Sequence, residues 1–412
     1  MHVKIIGAGI VGIQSAHALL DDGHDVQLID PDGLAARTSR GNAGWIAHTD
    51  ILPLASAKVW RHLPRWLLDP LGPLAIRPSY ALAIAPWMAR FVAASTPARI
   101  EASTAAIIAL NGMALAAWER RLGKLGLDER HLRRKGHLSI FTHAAGLSES
   151  LAAVARQRRL GISVDVLETS GAVRNLEPAL GTKVLAGLHF PGTVNVDDPA
   201  SVSAALGAAA LARGAVLVRQ SASRVRPVEG GIEVTLADGE TSRADCVVIA
   251  AGAWSKHLAR QLDDVIPLDT ERGYNVTLPK GALGLTRPVM FEGLGFVSTP
   301  LDTGDRIGGA VEFAGLTAAP NFARVDAILA RARPLLPDAN FEGGTRWMGF
   351  RPSLPDSLPV IGHSGATDRV IYAFGHAHHG LTQSAATGEL VAQLAGRKAT
   401  AIDLSPFDAG RF

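Results

Sequence analysis

The chain has 412 residues, 47% of them hydrophobic and 19% charged, which is ample material for a buried core and too long for one ordinary domain. Its 41 basic and 38 acidic side chains leave a formal charge of +3, too balanced for a nucleic-acid-binding protein. The single cysteine, Cys246, excludes an intrachain disulfide and a cysteine-built metal site, and a reducing cytoplasmic setting is the expectation.

An apolar strand, Val3-Lys4-Ile5-Ile6, runs into Gly7-Ala8-Gly9-Ile10-Val11-Gly12 and an apolar helical stretch. A second strand, Asp25-Val26-Gln27-Leu28-Ile29, closes on Asp30, roughly 18 positions after the last glycine. This is the full context of a dinucleotide-binding unit, and it predicts FAD or NAD at the N-terminus. Gly7 permits the tight turn, Gly9 the approach of a pyrophosphate, and Gly12 the packing of helix on strand. The helix N-terminus at Ile10 and Val11 supplies N–H groups and positive potential, and Asp30 accepts hydrogen bonds from a ribose diol. Because this run is already strand and loop of the fold, it is not read as a cleaved signal peptide.

Next comes Thr38-Ser39-Arg40-Gly41-Asn42-Ala43-Gly44-Trp45, small and polar residues that let backbone lie close to a ligand. Residues 51–95 carry Trp60, Trp66 and Trp87 among leucines, prolines and arginines, with no unbroken span of eighteen apolar residues to make a membrane helix. Two readings stay open there: a packed helical insertion, which is favoured, and an interfacial patch giving peripheral contact with the inner face of a membrane. The pattern then predicts a helix over about 100–124, strands at 137–141 and 185–190, and a helix over 198–213 capped by Asp197 or Asp198. Strands at 215–219, 223–228 and 232–240, with a hairpin turn at Asp238-Gly239, feed a buried strand that ends at Ala251-Gly252-Ala253-Trp254. Residues 263–344 alternate strand and turn signals, as an antiparallel sheet does. The glycine-rich close, with Gly349-Phe350-Arg351-Pro352 and Gly375-His376-Ala377-His378-His379-Gly380-Leu381-Thr382, precedes a helix over 383–394 whose N-terminus would cradle more of the same nucleotide.

The fold class expected is α/β: a Rossmann-like nucleotide domain with a mixed or parallel sheet, and an α+β substrate domain with a largely antiparallel sheet. Residues 1–50, 196–262 and 345–412 are assigned to the first, and 51–195 and 263–344 to the second. No second GxGxxG occurs, so one nucleotide is bound and the substrate must reduce it directly.

With these motifs, and with Pro73-Leu74-Ala75-Ile76-Arg77, Val248-Ile249-Ala250-Ala251-Gly252 and Arg351-Pro352-Ser353-Leu354-Pro355-Asp356-Ser357-Leu358-Pro359, the chain resembles the D-amino-acid oxidase and glycine oxidase superfamily of FAD enzymes over essentially its whole length. The bacterial D-amino acid dehydrogenase small subunits are the nearest group. The resemblance implies non-covalent FAD, contacted by Ser39, Asn42, Ala43, Gly44, Trp45, Ala251, Gly252, Trp254, Gly349, Gly375, His379, Gly380, Leu381 and Thr382, with the Val225 backbone at the adenine. It implies that Arg351 grips a substrate carboxylate with its planar fork, that hydride passes from Cα to flavin N5, and that the imine then hydrolyses to a 2-oxo acid or remains cyclic. Tyr274 is implied as an active-site tyrosine whose hydroxyl donates to the carboxylate or orders water, and His48, which follows the flavin-contacting loop, is a candidate to face the substrate amine or a structural histidine. His376, His378 and His379 invite a metal reading, but the resemblance puts them in the FAD loop and no metal is expected. The substrate implied is a D-amino acid or a cyclic imino acid such as D-proline or cis-4-hydroxy-D-proline, with electrons passing to a quinone or other non-oxygen acceptor. Rival readings are an oxygen-using oxidase of the glycine or sarcosine type, an NAD-dependent dehydrogenase, and a non-catalytic FAD-bearing partner subunit.

Overall fold

In the computed structural model, residues 1–55, 69, 71–127 and 131–412 are described. Trp60 and Trp66, with Arg61 and Arg65, lie outside the described residues.

The strand His2–Ile6 is buried on both faces of its pleat, as its Val/Ile run requires. It pairs in parallel with Asp25–Ile29 on one side and Cys246–Ile249 on the other. Val216–Val218 and Thr367–Phe374 extend the sheet in parallel, and Val360–Ser364 closes one edge antiparallel. Helices Ile10–Asp21, Pro199–Ala212 and Gly380–Ala395 gather on one face. The other face is covered by a meander of Ala222–Val228, Gly231–Leu236 and Thr241–Ala244, whose Val225, Ile232 and Val234 pack on Ile6, Ile29 and Val247. Asp198 caps Pro199–Ala212 by accepting from the Ser201 N–H, one of the two caps expected.

A second, nine-stranded sheet carries Asp269–Leu278 between Thr345–Ser353 and Gly304–Phe313, and continues through Phe296–Leu301, Val289–Phe291, His137–Phe141, Ala186–Phe190 and Asp165–Leu167. Most of its pairings are antiparallel. One face is sealed by the helix Ala323–Ala332, with Tyr274, Val276, Phe291 and Phe296 packing on Val325 and Ile328.

Two segments sit elsewhere than the sequence reading put them. Thr345–Ser353, assigned to the nucleotide unit, pairs along its length with Asp269–Leu278, so the chain leaves the antiparallel sheet only after Ser353. The helix Pro97–Leu125, assigned to the substrate unit, lays Ile107, Leu110, Ala114, Ala117, Trp118 and Leu122 against Gly380–Ala395. It is long and apolar enough to cross a membrane, but a stripe at this spacing buries itself by packing on another helix, and Trp118 Nε1 donates to the Leu381 carbonyl at 2.9 Å.

Candidate active site

A cavity of about 990 Å³ is walled by both sheets, with Gly7, Gly9 and Asp30 from one and Glu271, Gly273 and Arg351 from the other. At its nucleotide side the chain is drawn as tight as sterics allow. Gly7 has φ +107° and a Cβ there would lie 2.4 Å from the Ala250 carbonyl oxygen; one at Gly12 would lie 2.0 Å from the Gly7 oxygen. Gly12 thus holds helix on loop without reaching the cavity. Gly9 caps Ile10–Asp21 in extended conformation and adds no side chain of its own; Ser39 Oγ takes the first N–H, of Ile10, and the helix start otherwise opens on the cavity.

Asp30 is held against the cavity by three backbone donors: Ala8 N–H to Oδ2 at 2.9 Å, and Asp32 and Gly33 N–H to Oδ1 at 3.0 and 3.2 Å. Its remaining lone pairs suit a diol. The loop after it is tied down from within. Ser39 Oγ accepts from the Ile10 N–H, Asn42 Nδ2 donates to the Ser39 carbonyl, and Asn42 Oδ1 accepts from the Gly44 N–H. Trp45 donates to Thr299 at 2.7 Å, and Ala43, Ala251, Gly252 and Trp254 complete this wall. A second open helix start, at Gly380 and Leu381 of Gly380–Ala395, borders the same space. Two helix starts on one cavity, a clamped carboxylate and a volume of about 990 Å³ fit a dinucleotide such as FAD.

On the other sheet, the Arg351 guanidinium lies across Gly273, where a Cβ would fall 2.4 Å from Nη2, and Nη1 donates to the Ala310 carbonyl at 3.0 Å. Burial lowers the Arg351 pKa from its usual value, and the Glu271 charge partly opposes that. A guanidinium so placed stays charged and presents free donors to the cavity. Aromatic and apolar side chains, Trp87, Met88, Phe91, Phe296 and Phe313, form another part of the wall.

Several expected ligands are placed differently. Tyr274 borders the cavity, yet its ring belongs to the core beside Phe322, and its hydroxyl donates to Glu312 and accepts from the Asn321 N–H. It is a strut of the sheet. His48 lines a separate small cavity with Ile51, Ile108 and Leu160, its Nδ1 3.2 Å from the Ile46 carbonyl. Burial lowers its pKa. Val225 is turned into the core, and its N–H is taken by Gln261; Ser221 and Ala222 reach the cavity instead. Gly349, by contrast, does line the cavity, and it makes room for Trp347, whose ring a Cβ there would strike at 2.0 Å. Gly375 turns the chain with φ +86°, and Thr382 pins the FAD-side loop by bridging the Trp45 carbonyl and the Ala47 N–H, neither lining the cavity.

His379 is buried behind the wall, its pKa pushed down to about 3 by burial, so it is neutral at pH 7. Asp50, His378 and His379 bring ligand atoms within 4.8 Å of one another, with Asp50 Oδ2 3.5 Å from His378 Nε2 and 3.8 Å from His379 Nε2. Burial would raise the Asp50 pKa, but the histidines hold it at about 2. Asp50, Arg37 (stacked 4.5 Å over Trp254) and Glu271 escaped the sequence reading. Glu271 stands two residues before Gly273, so strand alternation puts the two on one face, and the register with the neighbouring strand adds Arg351 to it.

Residues 2–394 match the model of the FAD dependent oxidoreductase family, DAO. The D-amino-acid oxidase of Bradyrhizobium diazoefficiens is 37% identical over 419 residues, covering 100% of this chain and 99% of that one. The D-amino acid dehydrogenase of Rhizobium johnstonii is 30% identical, covering 98% of each. Glycine oxidase from Bacillus cereus has the same fold, with a TM-score of 0.73 at 21% identity over 100% of this chain and 99% of its own. A clamped acidic residue after a glycine turn, two open helix starts on one cavity and a match over nearly the whole length agree: the chain belongs to the FAD dependent oxidoreductase family.

Proposed function

We propose that this protein oxidises the Cα–N bond of a D-amino acid, with a cyclic imino acid such as D-proline or cis-4-hydroxy-D-proline as the specific substrate. The observation that carries the reading is Arg351, a half-buried guanidinium with free donors facing a cavity whose opposite side fits a dinucleotide. FAD, when bound, supplies the hydride acceptor. Arg351 binds the substrate carboxylate and fixes which face of Cα is presented, while Trp87, Phe91, Phe296 and Phe313 exclude water and suit a compact ring. Support for a D-configured amino acid comes from the two relatives, whose names are D-amino-acid oxidase and D-amino acid dehydrogenase.

The test is anaerobic mixing of FAD-loaded protein with D- and L-amino and imino acids while flavin absorbance is followed. D-Proline or its 4-hydroxy derivative should bleach the flavin fastest. Arg351→Ala should slow reduction about 30- to 1000-fold, as loss of about 2–4 kcal/mol from a buried charge-assisted pair requires, with FAD content unchanged. A variant within about threefold of the parent would remove Arg351 from the carboxylate site.

For the acceptor we propose a membrane quinone reached by peripheral contact on the cytoplasmic face. Support comes from the helix Ala81–Ala94, which turns Leu82 (91% exposed) and Val92 (52% exposed) outward near an exposed Arg90. Binding to anionic vesicles at low salt should weaken as salt rises, because exposed charges are screened beyond about 10 Å at 0.1 M. Failure to bind at low salt, together with reoxidation by oxygen as fast as by quinone, would favour the oxidase reading that the name of the first relative suggests.

A further inference from the structure

The face of Asp269–Leu278 that meets the cavity carries Glu271, Gly273 and Asn275 at alternate positions. Glu271 is in register with Arg351 on the neighbouring strand, so the two side chains leave the same sheet face, with the guanidinium lying across Gly273. Its partner on the other neighbouring strand is the apolar Phe313. Glu271 is only 4% exposed and borders the cavity. Among the described residues no hydrogen bond, and no ion pair within 4 Å, engages its carboxylate, and Arg351 spends Nη1 on the Ala310 carbonyl instead. A buried carboxylate without a hydrogen-bond donor is costly, and a cation entering the cavity would relieve that cost.

We propose that Glu271 receives the α-nitrogen of the substrate and accepts one of its protons, while Arg351 holds the carboxylate. This rests on the reading of Arg351 given above. An α-amino acid carries its ammonium and carboxylate on one carbon, and cross-strand neighbours have Cβ atoms about 5 Å apart, so in this proposal a single zwitterion bridges two side chains rooted at neighbouring points of one face. Oxidation at Cα requires the nitrogen lone pair. One N–H bond of the ammonium breaks and the O–H bond of a Glu271 carboxylic acid forms; the ion pair becomes a neutral amine beside a neutral acid, and the cavity gains no charge. Arg351 is the charged group in register with Glu271; Asp50, His137, Glu292 and His378 lie elsewhere on the wall.

Two measurements on the FAD-loaded protein test this. In the first, α-aminoisobutyrate, which has no Cα–H and no handedness, is titrated against isobutyrate, and binding is read from perturbation of the flavin absorbance. The parent should bind the zwitterion at least tenfold more tightly at pH 7. Glu271→Gln should lose that preference while holding isobutyrate as well as the parent or better, and Glu271→Asp should keep part of the preference. Preference retained in Glu271→Gln, or affinity for both ligands lost in parallel, would overturn the assignment, since the second result describes a residue that only supports Arg351. In the second, the rate of anaerobic reduction is followed against pH. Glu271→Gln should be at least 100-fold slower at pH 7 and should recover as pH rises, because the free amine then arrives without its extra proton; a rate profile parallel to that of the parent overturns the proton-accepting role. The binding arm is blind to configuration. Flavin that no D-amino acid reduces, with the Glu271-dependent preference intact, would sink the proposed substrate class and leave Glu271 standing.

Discussion

A carboxylate that accepts three backbone N–H groups is fixed in direction before any ligand arrives, and Asp30 is such a group. Its Oδ2 ties back to Ala8 within the glycine turn, and its Oδ1 closes the loop through Asp32 and Gly33. Loop closure is thus its observed duty and ribose binding the proposed one, and one substitution bears on both. Asp30→Ala should yield a folded protein largely free of flavin, read from the ratio of visible to ultraviolet absorbance after purification. Asp30→Glu should retain much of its FAD, since the longer side chain still reaches a diol. Full occupancy in the alanine variant would take Asp30 out of the nucleotide site.

At the scale of strands and loops, what could be read from sequence was whatever depends on local order. The strand, glycine turn and helix from Val3 to Asp21, the cap at Asp198 and the turn at Asp238-Gly239 follow from neighbours in the chain, and each is present. What could not be read depends on register between distant strands. The pairing of Glu271 with Arg351 joins two strands that no local pattern connects, and without it Glu271 is one more strand residue beside the more conspicuous Tyr274. The same limit displaced Val225: the register shifts between Ala222 and Arg224, and a bulge of this kind changes which residues face outward. His48 failed for a related reason, since Thr49 and Asp50 meet the large cavity while His48 meets the small one, and the sequence does not say which way a short loop turns. Arg351, which the sequence also singled out, does border the large cavity, and the ring of Pro352 limits the backbone just before it.

At the scale of the whole molecule, His17, His137, His376 and His379 are, among the described residues, carried neutral in the interior. His17 donates through Nε2 to the Leu206 carbonyl and accepts from Arg213 at Nδ1, an arrangement that leaves no place for a second ring proton. Burial first, then the nearby Arg121 and Arg213 charges, bring its pKa down to about 4 despite the Leu206 hydrogen bond. Burial brings His137, His376 and His379 to about 3. Each value lies below the roughly 6.5 of an unfolded chain, so between the two the unfolded state binds the proton that the folded state refuses. The stability that neutral burial contributes is complete above about pH 6.5, falls as pH drops towards 4 and 3, and each histidine adds a slope of about 1.4 kcal/mol per pH unit in that window. Denaturant midpoints taken with excess FAD at intervals from pH 7.5 to 4.5 should decline accordingly. His17→Gln preserves an N–H for Leu206 and an oxygen for Arg213 but cannot titrate, so its curve should run shallower by about one proton. If the two curves stay parallel over the whole range, His17 is not among the groups that set the acid limit of this fold.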